Sequence, residues 1–155
     1  MDNYIWHIAT PEGDWVVDPG DAEVVLTHQR ARGKPLIGVL ITHHHLDHTA
    51  GIAALVEAFA MPVYGPNEVR EGISHYVTSS QRWQLAGLGN VDIINVAAHT
   101  RGHIAFYLAD HGQLLCGDSL FSAGCGRLFE GTPADLARVM ATISSLPSTT
   151  MIYPT

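Results

Sequence analysis

The chain has 155 residues, of which 46% are hydrophobic and 15% charged, a composition typical of one globular domain with a buried core. Eight basic residues stand against 15 acidic ones, so the net charge is −7 and no basic face for nucleic acid is expected. No apolar stretch reaches transmembrane length, and the N-terminus does not resemble a secretion signal, so no membrane partner is expected. Two cysteines give no disulfide framework, which favours a reducing cytoplasm.

Hydrophobic periodicity and turn residues predict alternating strands and helices. In chain order we expect strands at 3–9 and 14–18, a helix from about 21 to 32, a strand at 36–42, a helix from about 49 to 60, a short strand at 62–64, mixed short helices and loops over 66–90, a strand at 91–96, a hairpin of 104–109 and 113–116, a helix from 132 and a strand at 151–153. Asp21 and Thr132 are the expected helix caps, and Gly33 is expected to end the first helix. The order suits two sheets with helices outside them, and we find no repeat or linker that divides the chain.

Four histidines and one aspartate lie within the seven residues 42–48, between a predicted buried strand and a predicted helix. Imidazole nitrogens and carboxylate oxygens are the ligands that zinc prefers. Alternate residues of an extended segment point the same way, so His43 and His45 can bind one ion, with His44 as the spacer. Asp47 and His48 follow the turn and can bind a second ion. The alternative is a polar strand end at the protein surface, which would not require these residue types at this spacing.

A site with two ions needs further ligands, and two candidates follow later predicted strands. His99 comes after the strand at 91–96, and Asp118 comes directly after an apolar strand, where a carboxylate is costly unless a cation accompanies it. A position between two ions would account for Asp118, and a turn or helix cap is the alternative. His99 is alternatively a hydrogen-bonded loop residue. His103 either orients a ligand or packs as a strand residue.

The sequence resembles the metallo-β-lactamase superfamily in four places: the histidine-rich run 42–48, residues 99–103, Cys116-Gly117-Asp118 and the glycine-rich segment 124–131. The last of these, together with Asp2-Asn3-Tyr4, is similar to the glyoxalase II branch, the hydroxyacylglutathione hydrolases. The resemblance implies an αββα sandwich. It also implies two divalent metal ions, with zinc expected and iron or manganese as alternatives. The implied ligands are His43, His45 and His99 for the first ion, Asp47 and His48 for the second, and Asp118 between them.

The resemblance further implies hydrolysis of glutathione thioesters such as S-lactoylglutathione, a step of methylglyoxal detoxification. A metal-bridging hydroxide, oriented by Asp47, would attack the thioester and release a hydroxy acid and glutathione. Arg127 and Phe129 match positions where the branch contacts glutathione. A solvated charge is the alternative for Arg127, and core packing is the alternative for Phe129. The branch often has tyrosine where this chain has Phe129, so one hydrogen bond to substrate is expected to be missing.

Members of the branch have a further strand before the position of Asn3, another histidine ligand after the segment 153–155, and a C-terminal helical domain that binds substrate. We therefore expect residues 1–155 to be a partial catalytic domain, with the second metal site open to question. One alternative is another enzyme of the superfamily, such as a glutathione persulfide dioxygenase, which the identity and number of metal ions would distinguish. Another is a non-catalytic metal-binding fragment. The acidic balance disfavours an RNA-processing nuclease.

Overall fold

Two β-sheets face each other, and helices cover the outer side of each. The computed structural model describes residues 3–155, so Asp2 of the resemblance at residues 2–4 lies outside the described residues. The strands are β1 Trp6–Ala9, β2 Asp14–Val17, β3 Leu36–Leu40, β4 Val63–Gly65, β5 His75–Tyr76, β6 Arg82–Leu85, β7 Gly89–Asn95, β8 Ile104–Leu108, β9 Gln113–Gly117 and β10 Met151–Pro154. The helices are α1 Ala22–Arg32, α2 Leu46–Thr49, α3 Ile52–Phe59 and α4 Pro133–Ser144.

The first sheet has the order β1-β2-β3-β4-β5, and the second has the order β10-β9-β8-β7-β6. In the first sheet only β1 and β2 pair antiparallel, while β2, β3, β4 and β5 run parallel. In the second sheet β6, β7, β8 and β9 are antiparallel, and β10 pairs parallel with β9. The parallel pairing of β2 with β3 brings the loops after both strands to one edge of the sandwich.

Alternating side chains of the strands fill three hydrophobic clusters. Trp15 and Val17 lie in the cluster between the sheets, whereas Val16 lies in the cluster beneath α1 and α3. In the same way, Phe106 faces the other sheet and Tyr107 packs in the cluster beneath α4. This is the period-two alternation of a strand with two covered faces. The predicted αββα sandwich is therefore confirmed.

Helix boundaries follow the predicted capping signals, with one exception. The Asp21 side chain accepts from the first backbone N–H groups of α1, and Thr132 forms a capping box at α4. The helix predicted from 49 to 60 is instead two helices, α2 and α3, separated at Gly51. Gly51 N–H donates to Pro19 O at 2.9 Å, and a Cβ at Gly51 would lie only 2.4 Å from that oxygen. The approach of this neighbouring loop separates the two helices, and the first of them, α2, starts at Leu46, earlier than predicted.

The prediction of short helices within 66–90 was wrong. These residues, all of which are described, contain no helix and instead supply β5, β6 and the start of β7. Arg82-Trp83-Gln84-Leu85 alternates polar and apolar residues, and Trp83 and Leu85 pack against the cluster between the sheets. The strand predicted to begin at residue 3 begins at Trp6. Within residues 3–155, every helix is too short or too polar to cross a membrane.

Candidate metal centre

The predicted ligands lie in the segments that follow β3, β7 and β9, at one edge of the sandwich. Thr42 to His48 follow β3, His99 lies in the loop after β7, and Asp118 follows β9 directly. A hydrogen bond from Ile104 N–H to Thr42 O, 3.0 Å long, joins the two sheets at this edge. The segment that follows β3 in one sheet therefore meets the start of β8 in the other sheet.

His43, His45 and His99 form the first group of side chains. Nδ1 of His45 lies 3.1 Å from His43 Nε2 and 3.0 Å from His99 Nε2, and one nitrogen of each ring lies within 4.8 Å of the others. Burial lowers the pKa of His43 far below its usual range, and the nearby histidines lower it further. Burial also lowers the pKa of His45. The His43 and His45 rings are therefore held neutral, which is the form that binds a metal ion.

His48 and Asp47 form the second group, on α2. His48 Nε2 lies 3.8 Å from Asp47 Oδ2, and the Asn3 side-chain amide donates to the same carboxylate oxygen at 2.7 Å. Burial alone would raise the pKa of Asp47, but the hydrogen bond from Asn3 and the nearby His48 lower it. Asp47 is consequently an ionised carboxylate near neutral pH.

Asp118 lies between the two groups. Its Oδ1 is 3.4 Å from His48 Nε2 and its Oδ2 is 3.4 Å from His99 Nε2, so one oxygen faces each group. Burial raises the pKa of Asp118 despite the opposing influence of the two histidines. The backbone of Asp118 is fixed by Gly126 N–H, which donates to Asp118 O at 3.0 Å. A cation between the groups would compensate for the cost of burying this carboxylate.

Asp18, at the end of β2, is a site residue that the sequence analysis missed. Its Oδ1 accepts from Thr42 N–H at 2.8 Å, and its Oδ2 accepts from the Thr42 hydroxyl at 2.7 Å and lies 3.1 Å from His48 Nδ1. Burial would lower the pKa of His48, but Asp18, together with the other carboxylates, raises it. Asp18 has a φ of 52°, an uncommon conformation for a residue other than glycine. A carboxylate directly after a buried strand was the available signal.

Other contacts fix the orientation of the histidine rings. Thr42 Oγ1 lies 3.0 Å from His43 Nδ1, and His99 Nδ1–H donates to Arg127 O at 2.7 Å. His103 is fully buried, and its ring centroid lies 4.6 Å from that of His43. The hydrogen-bond contacts of Thr42 and Arg127 set which ring nitrogen of His43 and His99 would face a bound ion, whereas His103 packs against the His43 ring.

Phe129 and Arg127 lie at the mouth of the site. Phe129 is 59% exposed, so the core-packing alternative was wrong. Its ring centroid lies 5.5 Å from that of His45 and 5.3 Å from that of His99. The exposed Arg127 places its guanidinium carbon 5.5 Å from the Phe129 centroid. The glycine-rich loop thus presents an aromatic ring and a positive charge beside the histidines.

The donor set fits a divalent cation. Imidazoles and carboxylates lie within a few ångströms of one another, and the carboxylates supply the negative charge that a dication requires. The fold together with these His and Asp groups indicates a divalent metal site at this edge.

Comparison with known proteins agrees with the class that this fold and site define, a metal-binding αββα sandwich. Residues 3–87 match the family model described as metallo-beta-lactamase superfamily, and the chain belongs to this superfamily. It is 46% identical over 161 residues to a hydroxyacylglutathione hydrolase of Shewanella baltica (strain OS195), an alignment that covers 98% of this chain and 60% of the relative. The chain therefore spans about 60% of the length of that curated relative.

Two solved structures share the fold over nearly the whole chain. The BLEG-1 B3 metallo-beta-lactamase superposes with a TM-score of 0.83 at 22% identity, covering 97% of this chain and 83% of that one. TTHA1623 in a di-iron-bound form gives a TM-score of 0.79 at 26% identity, covering 97% of this chain and 85% of that one.

Proposed function

We propose that this chain carries the metal-binding catalytic part of a glutathione thioester hydrolase. The substrate class is typified by S-lactoylglutathione, which water cleaves to a hydroxy acid and glutathione. The observation that carries the proposal is the position of Asp118 between two ligand groups, beside a loop that presents Arg127 and Phe129. The relative from Shewanella baltica, named for hydrolysis of a hydroxyacylglutathione, supports the substrate class.

The proposed metal ligands fall into two sets that share one residue. His43, His45 and His99 would hold one ion, Asp47 and His48 would hold the other, and Asp118 would contact both. We expect two zinc ions. Iron stays an alternative because the related TTHA1623 structure is a di-iron form, and manganese is a further alternative. When bound, such ions make hydroxide available near neutral pH and polarise a carbonyl group.

The chain's own residues would orient the attacking water and keep the ligands in their binding forms. Asp47 is ionised and held by Asn3, so its carboxylate can accept a hydrogen bond from the water. His43 is kept neutral by burial, so one of its two ring nitrogens carries no proton and is free to bind an ion. The leaving group is a thiolate, which departs without strong acid catalysis, and neither cysteine is needed as a nucleophile.

Attraction of an anionic glutathione conjugate to a chain of net charge −7 has to be local. Arg127 supplies a positive charge at the mouth of the site, and Phe129 supplies an apolar surface next to the ligand histidines. Phenylalanine at position 129 has no hydroxyl, so we expect binding here to rest on packing.

Cys116 and Cys125, both within the described residues, are free, which supports the proposed reducing cytoplasmic setting.

The test is release of free thiol from S-lactoylglutathione by the zinc-loaded chain, with metal content measured on the same sample. Asp118→Asn is expected to abolish hydrolysis, and Glu57→Gln, an equal charge change on the exposed face of α3, should leave it unchanged. A chain that holds two zinc ions and leaves the thioester intact would overturn the proposal. Oxygen uptake with glutathione persulfide by the iron-loaded chain would favour the dioxygenase alternative instead.

A further inference from the structure

Two carboxylates outside the proposed ligand sets hold the loop that follows His99. Glu68 lies in the segment between β4 and β5, and Glu130 lies in the glycine-rich loop. Both reach residues 100–102, which directly follow His99 in the chain. Neither carboxylate has a part in the mechanism proposed above.

Glu68 makes two short hydrogen bonds to this loop. Its Oε1 accepts from the Thr100 hydroxyl and its Oε2 accepts from Gly102 N–H, each at 2.6 Å. The side chain is only 15% exposed, so water competes little for these bonds. A Cβ at Gly102 would lie 2.6 Å from Glu68 Oε2, so the carboxylate occupies the space that any side chain at 102 would need. Hydrogen bonds to an ionised acceptor are about twice as strong as neutral ones.

Glu130 and His44 complete the arrangement. Glu130 Oε2 accepts from Arg101 N–H at 2.9 Å, so the loop after His99 is held from two separate segments of the chain. His44 lies between the two carboxylates, with Nδ1 3.4 Å from Glu68 and Nε2 3.8 Å from Glu130. The spacer histidine of the metal motif therefore lies close to both carboxylates, although its Nδ1 makes no hydrogen bond within residues 3–155.

We propose that Glu68 is a positioning residue for His99, acting by fixing residues 100–102 and so the place of the His99 ring. The ring donates through Nδ1–H to Arg127 O, and a fixed backbone at residues 100–102 adds a restraint that holds Nε2 beside His45 and Asp118. The inference rests on the proposed metal centre, in which His99 is a ligand, and is independent of the substrate.

The first experiment measures zinc affinity by competition with a chromophoric chelator. Glu68→Gln keeps the shape of the side chain but turns one acceptor oxygen into a donor amide, which cannot accept from both Thr100 and Gly102. Loss of a partner that orients a ligand lowers metal affinity by about 10- to 100-fold, and we expect a decrease in this range. Glu71→Gln is the matched control, because Glu71 is exposed on the same segment and the charge change is identical.

A second pair of variants separates positioning from general destabilisation. Thr100→Val removes the hydroxyl donor at nearly constant volume, so it should lower zinc affinity while leaving Glu68 in place. In a His99→Ala background, Glu68→Gln should cause no further loss of zinc affinity, because the residue through which it acts is gone. Melting curves of the metal-free variants report whether they fold.

The outcomes distinguish a positioning role of Glu68 from a general effect on the fold and from failure of the metal centre. Unchanged affinity in both Glu68→Gln and Thr100→Val, with zinc bound normally by the unaltered chain, would overturn the positioning role alone. If Glu68→Gln lowered zinc affinity as much in the His99→Ala background as in the unaltered chain, the positioning role would also be overturned, since Glu68 would then act on the fold as a whole. If the unaltered chain binds no zinc, the metal centre itself is wrong, and the positioning role is overturned with it.

Discussion

Replacement of Asp18 tests how the end of β2 fixes the second ligand group. Asp18 accepts two hydrogen bonds from Thr42, and its Oδ2 lies 3.1 Å from His48 Nδ1. A neutral His48 that carries its proton on Nδ1, facing Asp18, has the Nε2 lone pair free to face Asp118 and a bound ion. Asp18→Asn keeps the left-handed backbone, which asparagine tolerates, but places an amide N–H opposite His48 Nδ1.

The expected magnitudes follow from these contacts. Loss of the partner of a ligand histidine should lower zinc affinity about 10- to 100-fold, or about 1.4–2.8 kcal/mol. Asp18→Ala also leaves the buried Thr42 N–H without its acceptor, which costs about 1–3 kcal/mol beyond a lost bond to a charged group worth about 1.5–3 kcal/mol. We therefore expect Asp18→Ala to lower the free energy of unfolding by about 2.5–6 kcal/mol, and Asp18→Asn by less.

Urea unfolding of the metal-free protein and zinc competition with a chelator measure the two effects separately. Glu57→Gln, which removes one negative charge from an exposed helical position, is the control for net charge. Zinc affinity in Asp18→Asn equal to that of the unaltered chain would refute the role of Asp18 in orienting His48. Equal stability of the Asn and Ala variants would refute the argument from the buried Thr42 donor.

Three further predictions concern acid stability, substrate binding and thiol reactivity. Burial would raise the pKa of the fully buried Asp14, but hydrogen bonds, foremost from Arg32, lower this pKa from 3.8 to about 2. The ionised Asp14 therefore contributes fully to the stability of the fold above pH 3.8, and this contribution is lost as pH falls through about 2. Urea unfolding between about pH 5 and about pH 2 should show a loss of about 1–2 kcal/mol that Asp14→Asn does not show. Phe129→Ala should raise KM for the thioester roughly two- to tenfold at unchanged zinc content, since aromatic and cation–π contacts are worth about 0.5–1.5 kcal/mol, and an unchanged KM would exclude substrate contact there. Iodoacetamide should modify exposed Cys125 in the folded chain but Cys116 only after unfolding, because burial raises the pKa of Cys116 to about 12; mass spectrometry showing two adducts on folded protein would contradict this.

Features set by neighbouring residues were predictable from the sequence. The ends of α1 follow from Asp21 and Gly33, and the start of α4 follows from the capping box at Thr132, because each signal acts within a few residues. The residues proposed as metal ligands were also found from sequence, because their residue types and their positions after strands are local properties. The structure brings them together, and their binding of metal stays a prediction.

Features that depend on distant contacts were missed. Asp18 was predicted only as the last residue of a strand, since its bonds to Thr42 arise only when β2 and β3 pair in parallel. Glu68 lies 32 residues from Thr100, and nothing near it in the sequence indicates that contact. The break between α2 and α3 depends likewise on the loop that carries Pro19. In each case the deciding partner lies far away in the chain.

The most direct test of the central claim is the zinc content of the gel-filtered chain, compared between the unaltered protein and Asp118→Ala. With two ligand groups and one carboxylate between them, the account predicts two zinc ions per unaltered chain and a lower content in Asp118→Ala. One ion or none in the unaltered chain, or the same content in both proteins, would contradict it.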